Sequence, residues 1–165
     1  MSTSTGKTNA IRMLDKEKVD YQLHAYDPQD GAIDGITVAS KVGQPLEKVF
    51  KTLVAHHGNE GFVFVIPVAE ELDLKKAARA AGVKNIEMLP VKDLLKWTGY
   101  IRGGCSPIGM KKLYPTFLDE RAETKETILV SAGKIGLQLE LAPQVLIQLV
   151  KAKFADVLKR GEGSR

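Results

Sequence analysis

Two apolar runs, Val49-Phe50-Lys51-Thr52-Leu53-Val54-Ala55 and Phe62 to Val68, flank Gly58-Asn59-Glu60-Gly61. β-branched and aromatic residues dominate both runs, and the Gly-Asn-Glu-Gly connection favours a tight turn. The spacing predicts a β-hairpin. The second run is apolar at every position, as in a strand covered on both faces at the centre of a sheet. In the first run, strand alternation puts Val49, Lys51, Leu53 and Ala55 on one face and Phe50, Thr52, Val54 and His56 on the other. Both faces are mostly apolar, so both are expected to be covered. Lysine is out of place there, because an unpaired buried ammonium is costly. Two readings of Lys51 stand side by side. Its stem lies along apolar surface with the amine in water, or the amine points into a pocket for an anionic or carbonyl group.

The rest of the chain mixes helical and strand patterns. Thr8 to Lys18 reads as a helix capped by Thr8, and Val19 to Tyr26 alternates as a strand stopped by Asp27-Pro28. Gln29 to Gly35 is a loop, Thr37 caps a short helix ending at Gly43, and Pro45 opens a further turn. Asp73 caps a helix over 74–81 with Gly82 beyond its end. Ile86 to Leu89 is a short strand, and Pro90 starts a helix closed by Gly99. Leu113 to Leu118, Thr127 to Val130 and Leu137 to Leu141 read as strands. Pro143 opens a helix, which Phe154 to Leu158 extends or follows with another. Hairpins beside crossover spacings argue for one α/β domain (mixed α+β), a mixed, largely antiparallel sheet packed with helices.

The 165 residues suffice for one domain with a core. The first six and last five residues, small and polar, are expected to be flexible tails, leaving 7–160 as the domain. No apolar run approaches a membrane span and no signal peptide is visible. A single cysteine excludes an internal disulfide and fits a reducing compartment, so the cytoplasm is expected. Lys+Arg exceed Asp+Glu by 24 to 20, a net +4. The basic residues gather at Lys75, Lys76, Arg79 and Lys84, at Lys111 and Lys112, and at Lys151, Lys153, Lys159 and Arg160. Any one such cluster, taken alone, reads as a solvated face.

Several chemistries lack their residues. Gly104 to Gly109 has P-loop glycine spacing, but Met110 stands where lysine is required. Three histidines and one cysteine show no metal-ligand spacing. Ser106 lacks a nucleophile elbow, and no histidine can be paired with Cys105 from sequence. The carboxylate pairs Glu70-Glu71 and Asp119-Glu120 read as solvated surface. Trp97 reads as core or interface. Gly103-Gly104 is either a tight turn before Pro107 or a backbone cradle for a carbonyl oxygen or a phosphate.

Three stretches carry a resemblance. Phe50-Lys51-Thr52-Leu53, Thr98-Gly99-Tyr100-Ile101-Arg102-Gly103-Gly104-Cys105-Ser106-Pro107-Ile108-Gly109, and Ser131-Ala132-Gly133-Lys134-Ile135-Gly136-Leu137 resemble the signature of the YbaK/EbsC family. Leu72 to Ala78 and Leu141-Ala142-Pro143 match as well, and the likeness runs in order from about Lys7 to Arg160. That family is similar to the editing insertion domain of bacterial prolyl-tRNA synthetases. The resemblance implies the same α/β fold and a free-standing aminoacyl-tRNA deacylase that removes cysteine from tRNA(Pro), with no metal or other cofactor. It implies the aminoacyl-tRNA acceptor end as partner and allows prolyl-tRNA synthetase as a second; it leaves the oligomeric state open. Lys51 matches the family's essential lysine, which would fix the carbonyl or the terminal phosphate. Gly103 or Gly104 would position the ester or a developing oxyanion. Tyr26, Thr52 and Ser131 match pocket positions, and Ser106 lies within the glycine-rich signature as a further substrate-binding candidate. The substrate's own thiol would attack its ester, giving a cyclic thiolactone. Cys105 departs from the aliphatic residue common at its position. Deacylation of alanyl or other small aminoacyl groups, and a non-catalytic module binding tRNA or synthetase, are the competing readings.

Overall fold

The computed structural model describes residues 7–160. The expected tails, 1–6 and 161–165, lie outside the described residues. The Val49 and Phe62 runs form the hairpin that their sequence requires, β2 (Phe50–His57) with β3 (Glu60–Pro67), turning at Gly58-Asn59. Their antiparallel register pairs Lys51 with Ile66 and Thr52 with Val65. β3 is central. It pairs on its other side, in parallel, with β5 (Thr116–Asp119), which pairs in parallel with β8 (Lys153–Ala155). The two-residue strand β4 (Glu87–Met88) completes a five-stranded sheet of order β4-β2-β3-β5-β8.

A second sheet holds β1 (Gln22–Ala25), β7 (Leu137–Leu141) and β6 (Ile128–Lys134), all antiparallel and in that order. The mixed, largely antiparallel sheet of the sequence reading is thus divided in two. An isolated parallel bridge, Val49 to Leu129, joins the parts.

Local chemistry explains most element boundaries. α1 (Asn9–Lys16) starts where the Thr8 hydroxyl accepts from the Ile11 amide. α3 (Leu74–Ala81) starts where Asp73 accepts from the Lys75 and Lys76 amides, and Gly82 ends it at φ +75°. α4 (Val91–Thr98) follows Pro90 and closes at Gly99. α5 (Pro143–Val150) has its proline in the first turn.

Strand alternation divides the core. Val63 and Val65 of β3 face a large cluster with Ile11 and Leu14 of α1, Val130 and Leu139 of the second sheet, and Leu146 of α5. Phe62, Phe64 and Ile66 face a smaller cluster with Ala77, Ala78 and Val157, where Phe64 stacks on Phe117 at 5.4 Å.

Four expectations are corrected. α2 (Gly35–Lys41) is capped by Asp34, whose carboxylate accepts from the Thr37 amide and hydroxyl; Thr37 lies inside the helix. Val19 to Tyr26 contributes only a four-residue strand. Phe154 to Leu158 is not helical. Lys151 takes a left-handed φ of +55°, the helix stops, and residues 153–155 dock as an edge strand beside β5. Asp119 is fully buried, not solvated, and its carboxylate accepts from the Arg121 amide and guanidinium.

Candidate functional site

β4 pairs with β2 only at Ala55 and His56, so Phe50 to Leu53 run along an open sheet edge. The second sheet turns its polar face toward that edge. In β7 the apolar residues Leu139 and Leu141 point into the core, while Gln138 and Glu140 point the other way with His24 and Ser131 opposite. α2 and the loop before it form the third side. These walls enclose a cavity of about 700 Å³.

Lys51, Thr52, Gly103, Tyr26 and Ser131 all line this cavity. The structure therefore brings together five of the seven positions singled out in the sequence. Gly104 and Ser106 are not in its wall. Gly104 packs against the turn after β6, where a Cβ would meet the Ile135 amide nitrogen at 2.9 Å. Ser106 is fully buried and accepts from the Ile108 amide at 3.2 Å, which shapes the loop from within.

Lys51, Thr52 and Leu53 are half-buried, so this end of β2 is less covered than its sequence suggests. The Lys51 ammonium has no hydrogen-bond or ion-pair partner among the described residues. Burial draws its pKa below the ordinary lysine value, against the opposing fields of Glu71 and Glu70. Of the two readings of Lys51, the cavity favours the second.

Two polar atoms in the wall lack partners. Among the described residues, Thr52 Oγ1 and Gln138 Oε1 are buried side-chain atoms with no hydrogen bond. Such atoms are rare in a folded protein, and each one leaves hydrogen-bonding capacity directed at the cavity. Ser131 is engaged, its hydroxyl accepting from the Gly133 amide at 3.2 Å. Tyr26 is buried, and its amide donates to Gly136 O at 2.9 Å. Gly103 sits at φ +87° with Ile33 directly above it, since a Cβ on Gly103 would lie 2.9 Å from Ile33 Cδ1.

The wall offers no activated side-chain nucleophile. It contains no histidine. Cys105 is buried at the margin of the cavity, and burial pushes its thiol up to about 12 despite a hydrogen bond with Thr98. It stays protonated at neutral pH. Among the described residues no three His, Cys, Asp or Glu side chains converge, and no helix is long and apolar enough to cross a membrane.

Sequence reasoning missed Ile33, Gly35, Ile36, Arg102 and Gln138 in the wall. Gln138 carried a signal. It is a neutral polar residue in an otherwise alternating strand, on the same side as Glu140 and opposite Leu137 and Leu139. The loop residues carried none.

Fold, wall and free lysine define a small α/β domain with a pocket lined by an unpaired lysine and by polar atoms without partners. Residues 34–149 match the aminoacyl-tRNA editing domain family, and the chain belongs to that family. It is 48% identical over 152 residues to EbsC of Enterococcus faecalis, a candidate Cys-tRNA(Pro)/Cys-tRNA(Cys) deacylase, covering 92% of this chain and 93% of that protein. It is 25% identical over 138 residues to a proline–tRNA ligase of Burkholderia thailandensis, covering 76% of this chain but 24% of the ligase. A crystal structure of a candidate trans-editing enzyme for prolyl-tRNA synthetase superposes with TM-score 0.79 at 23% identity, covering 95% of this chain and all of that one, a likeness of fold.

Proposed function

We propose that this protein is a trans-acting deacylase that removes cysteine from mischarged tRNA(Pro). The observation that carries the reading is the cavity itself. A partnerless ammonium, two orphaned polar oxygens and a glycine that admits a close backbone approach surround a space with no activated nucleophile. An aminoacyl ester is already activated, so positioning and charge are the main contributions a protein must make to its cleavage.

In this reading Lys51 sets its positive charge beside the ester carbonyl as the oxygen becomes anionic, with backbone N–H at Gly103 as the second donor. Tyr26, Thr52 and Ser131 hold the aminoacyl group. The substrate's thiol loses its proton, and its sulfur attacks the ester carbon. The bond to the ribose oxygen then breaks. That oxygen takes up a proton, giving uncharged tRNA and a cyclic thiolactone. Water opens the thiolactone to free cysteine. A substrate that brings its own nucleophile accounts for a wall in which the only cysteine is held protonated. The exposed Arg102 at the cavity wall suits the phosphates of an acceptor stem, which are bound without reading sequence. The same reading places the protein in the cytoplasm, where tRNA is charged, and allows it to work beside prolyl-tRNA synthetase.

The test is deacylation of Cys-tRNA(Pro), Ala-tRNA(Pro) and Pro-tRNA(Pro) by wild type and Lys51→Ala. Fast release of cysteine, sparing of proline and a dead but folded mutant are expected. Release of alanine in preference would keep the site and change the cargo. Binding of tRNA without release would remove the enzymatic reading.

A further inference from the structure

Lys41, the last residue of α2, lies outside the cavity wall, and its ammonium bonds three separate residues. Its ammonium donates to Asp27 O at 2.6 Å, Asp30 Oδ1 at 2.8 Å and Ala32 O at 3.0 Å. All three N–H groups are used, and all three acceptors lie in the loop between β1 and α2. The ammonium also stands 5.9 Å from the centre of the Tyr26 ring.

That loop is the roof of the cavity. It carries Gly31, Ile33 and Asp34 into the wall, and Ile33 rests on Gly103. Its own internal bonds are short-range. Asp27 accepts from the Gln29 amide, Asp30 accepts from the Ala32 amide, and Gly31 turns at φ +77°. Such bonds shape a loop but do not fix it to a body. Ile33 packs on Gly103 and Pro28 lies against Gly136; the polar fixing comes from Lys41, reaching back from the far end of the helix that the loop leads into. Two of its acceptors are backbone carbonyls, so the contact constrains the chain path itself.

We propose that Lys41 is a positioning residue for the deacylation site. It holds the 27–34 loop closed, and thereby sets both the apparent affinity for the aminoacyl end and the size of aminoacyl group admitted. The inference rests on the deacylase reading. If only the closed loop binds productively, apparent affinity scales with the closed fraction, while the rate at saturation does not. A roof that lifts also stops rejecting larger side chains under Ile33.

The experiment compares wild type, Lys41→Met and Asp30→Ala in steady-state deacylation of Cys-tRNA(Pro) and Phe-tRNA(Phe), with amide hydrogen exchange on the same proteins. Lys41→Met is expected to raise KM about tenfold with kcat within about twofold. Its preference for cysteinyl over phenylalanyl ester, as a ratio of kcat/KM, falls by about tenfold, and the amides of 29–33 exchange at least about tenfold faster while those of β3 do not change. Asp30→Ala, which removes one acceptor from the loop side, moves each quantity the same way by about threefold. A fall in kcat with KM and preference unchanged would mean a merely structural role and overturn the proposal, as would unchanged kinetics. If wild type releases nothing, the deacylase reading fails, and exchange alone decides the clamp: unaltered exchange at 29–33 in Lys41→Met removes it, and faster exchange keeps it as the fastening of the cavity roof.

Discussion

Val49 and Leu129 meet in a parallel bridge that joins the two sheets, and two residues further along each strand stand Lys51 and Ser131. Beyond the bridge the strands separate, and the cavity opens between them. Ligands of open α/β sheets gather where neighbouring strands diverge, because side chains there face a crevice rather than a core. One backbone contact thus puts residues distant in sequence at the same height in the cleft.

The partnerless lysine has a cost in stability. Folding shifts its pKa downward, so the charged form is favoured less in the folded chain than in the unfolded one. At neutral pH the ammonium therefore opposes folding, and the penalty fades as pH rises through the folded pKa. Lys51→Met is expected to melt about 2 °C higher than wild type at pH 7, with deacylation reduced by at least about 1000-fold. Calorimetry at pH 7 and pH 10 checks the sign, since the gain must shrink at the higher pH.

Thr52→Val removes a hydroxyl that has no hydrogen-bond partner among the described residues. Replacing an unsatisfied buried polar atom by a methyl of equal size leaves stability unchanged or improved, while a ligand that used the oxygen loses a bond worth about 1 kcal/mol. Urea unfolding should show no loss, and KM for Cys-tRNA(Pro) should rise about fivefold.

The adjacent glycines separate packing from chemistry. A Cβ at Gly104 would press on the backbone of Lys134 and Ile135 at 2.9 to 3.0 Å, which cannot yield without moving the turn. Gly104→Ala is expected to cost about 2–4 kcal/mol in urea unfolding. At Gly103 the obstacle is φ +87° and the end of the Ile33 side chain, which can swing aside. Gly103→Ala should cost about 1–2 kcal/mol and lose most of the deacylation.

Glu140 ties β7 to its surroundings, accepting from His24 at 2.8 Å, from Lys48 at 3.0 Å and from the Thr127 hydroxyl. Burial pushes its pKa up, but the hydrogen bonds from Thr127, Lys48 and His24 outweigh this and hold the carboxyl at about 2, below its ordinary 4.5. A folded pKa below the unfolded one stabilises above about 4.5 and loses that contribution as pH falls toward 2. The stability gap between wild type and Glu140→Gln, measured in urea, should be constant from pH 7 to about 5 and narrow steadily by pH 3.

The hairpin, α3 and α4 were legible because local chemistry decided them: turn glycines, an Asp73 cap, Gly82 and Gly99 at left-handed C-termini. Of the five wall positions, Thr52 and Ser131 were named only through the resemblance to family motifs; the strand pattern singled out Lys51, the glycine pair marked Gly103 as a backbone cradle, and Tyr26 stood at the close of a strand. Elsewhere tertiary contacts decided. Residues 153–155 carry no strong strand pattern and became a strand because the edge of β5 was open beside them. Asp119 looked like surface because its partner, Arg121, makes the carboxylate tolerable in the interior only once the chain is folded. The roof loop, rich in Gly and Asp, spells only a loop, and its position over Gly103 depends on a lysine several residues downstream.

The buried thiol of Cys105, held at about 12, has consequences for chemical durability. At neutral pH the thiol therefore stays protonated. Peroxides and alkylating agents that disarm cysteine-dependent enzymes act on the thiolate, so Cys105 is a poor target for them. The one thiol of the chain is thus spared, and in the proposed reaction the sulfur open to oxidation is the one the substrate brings.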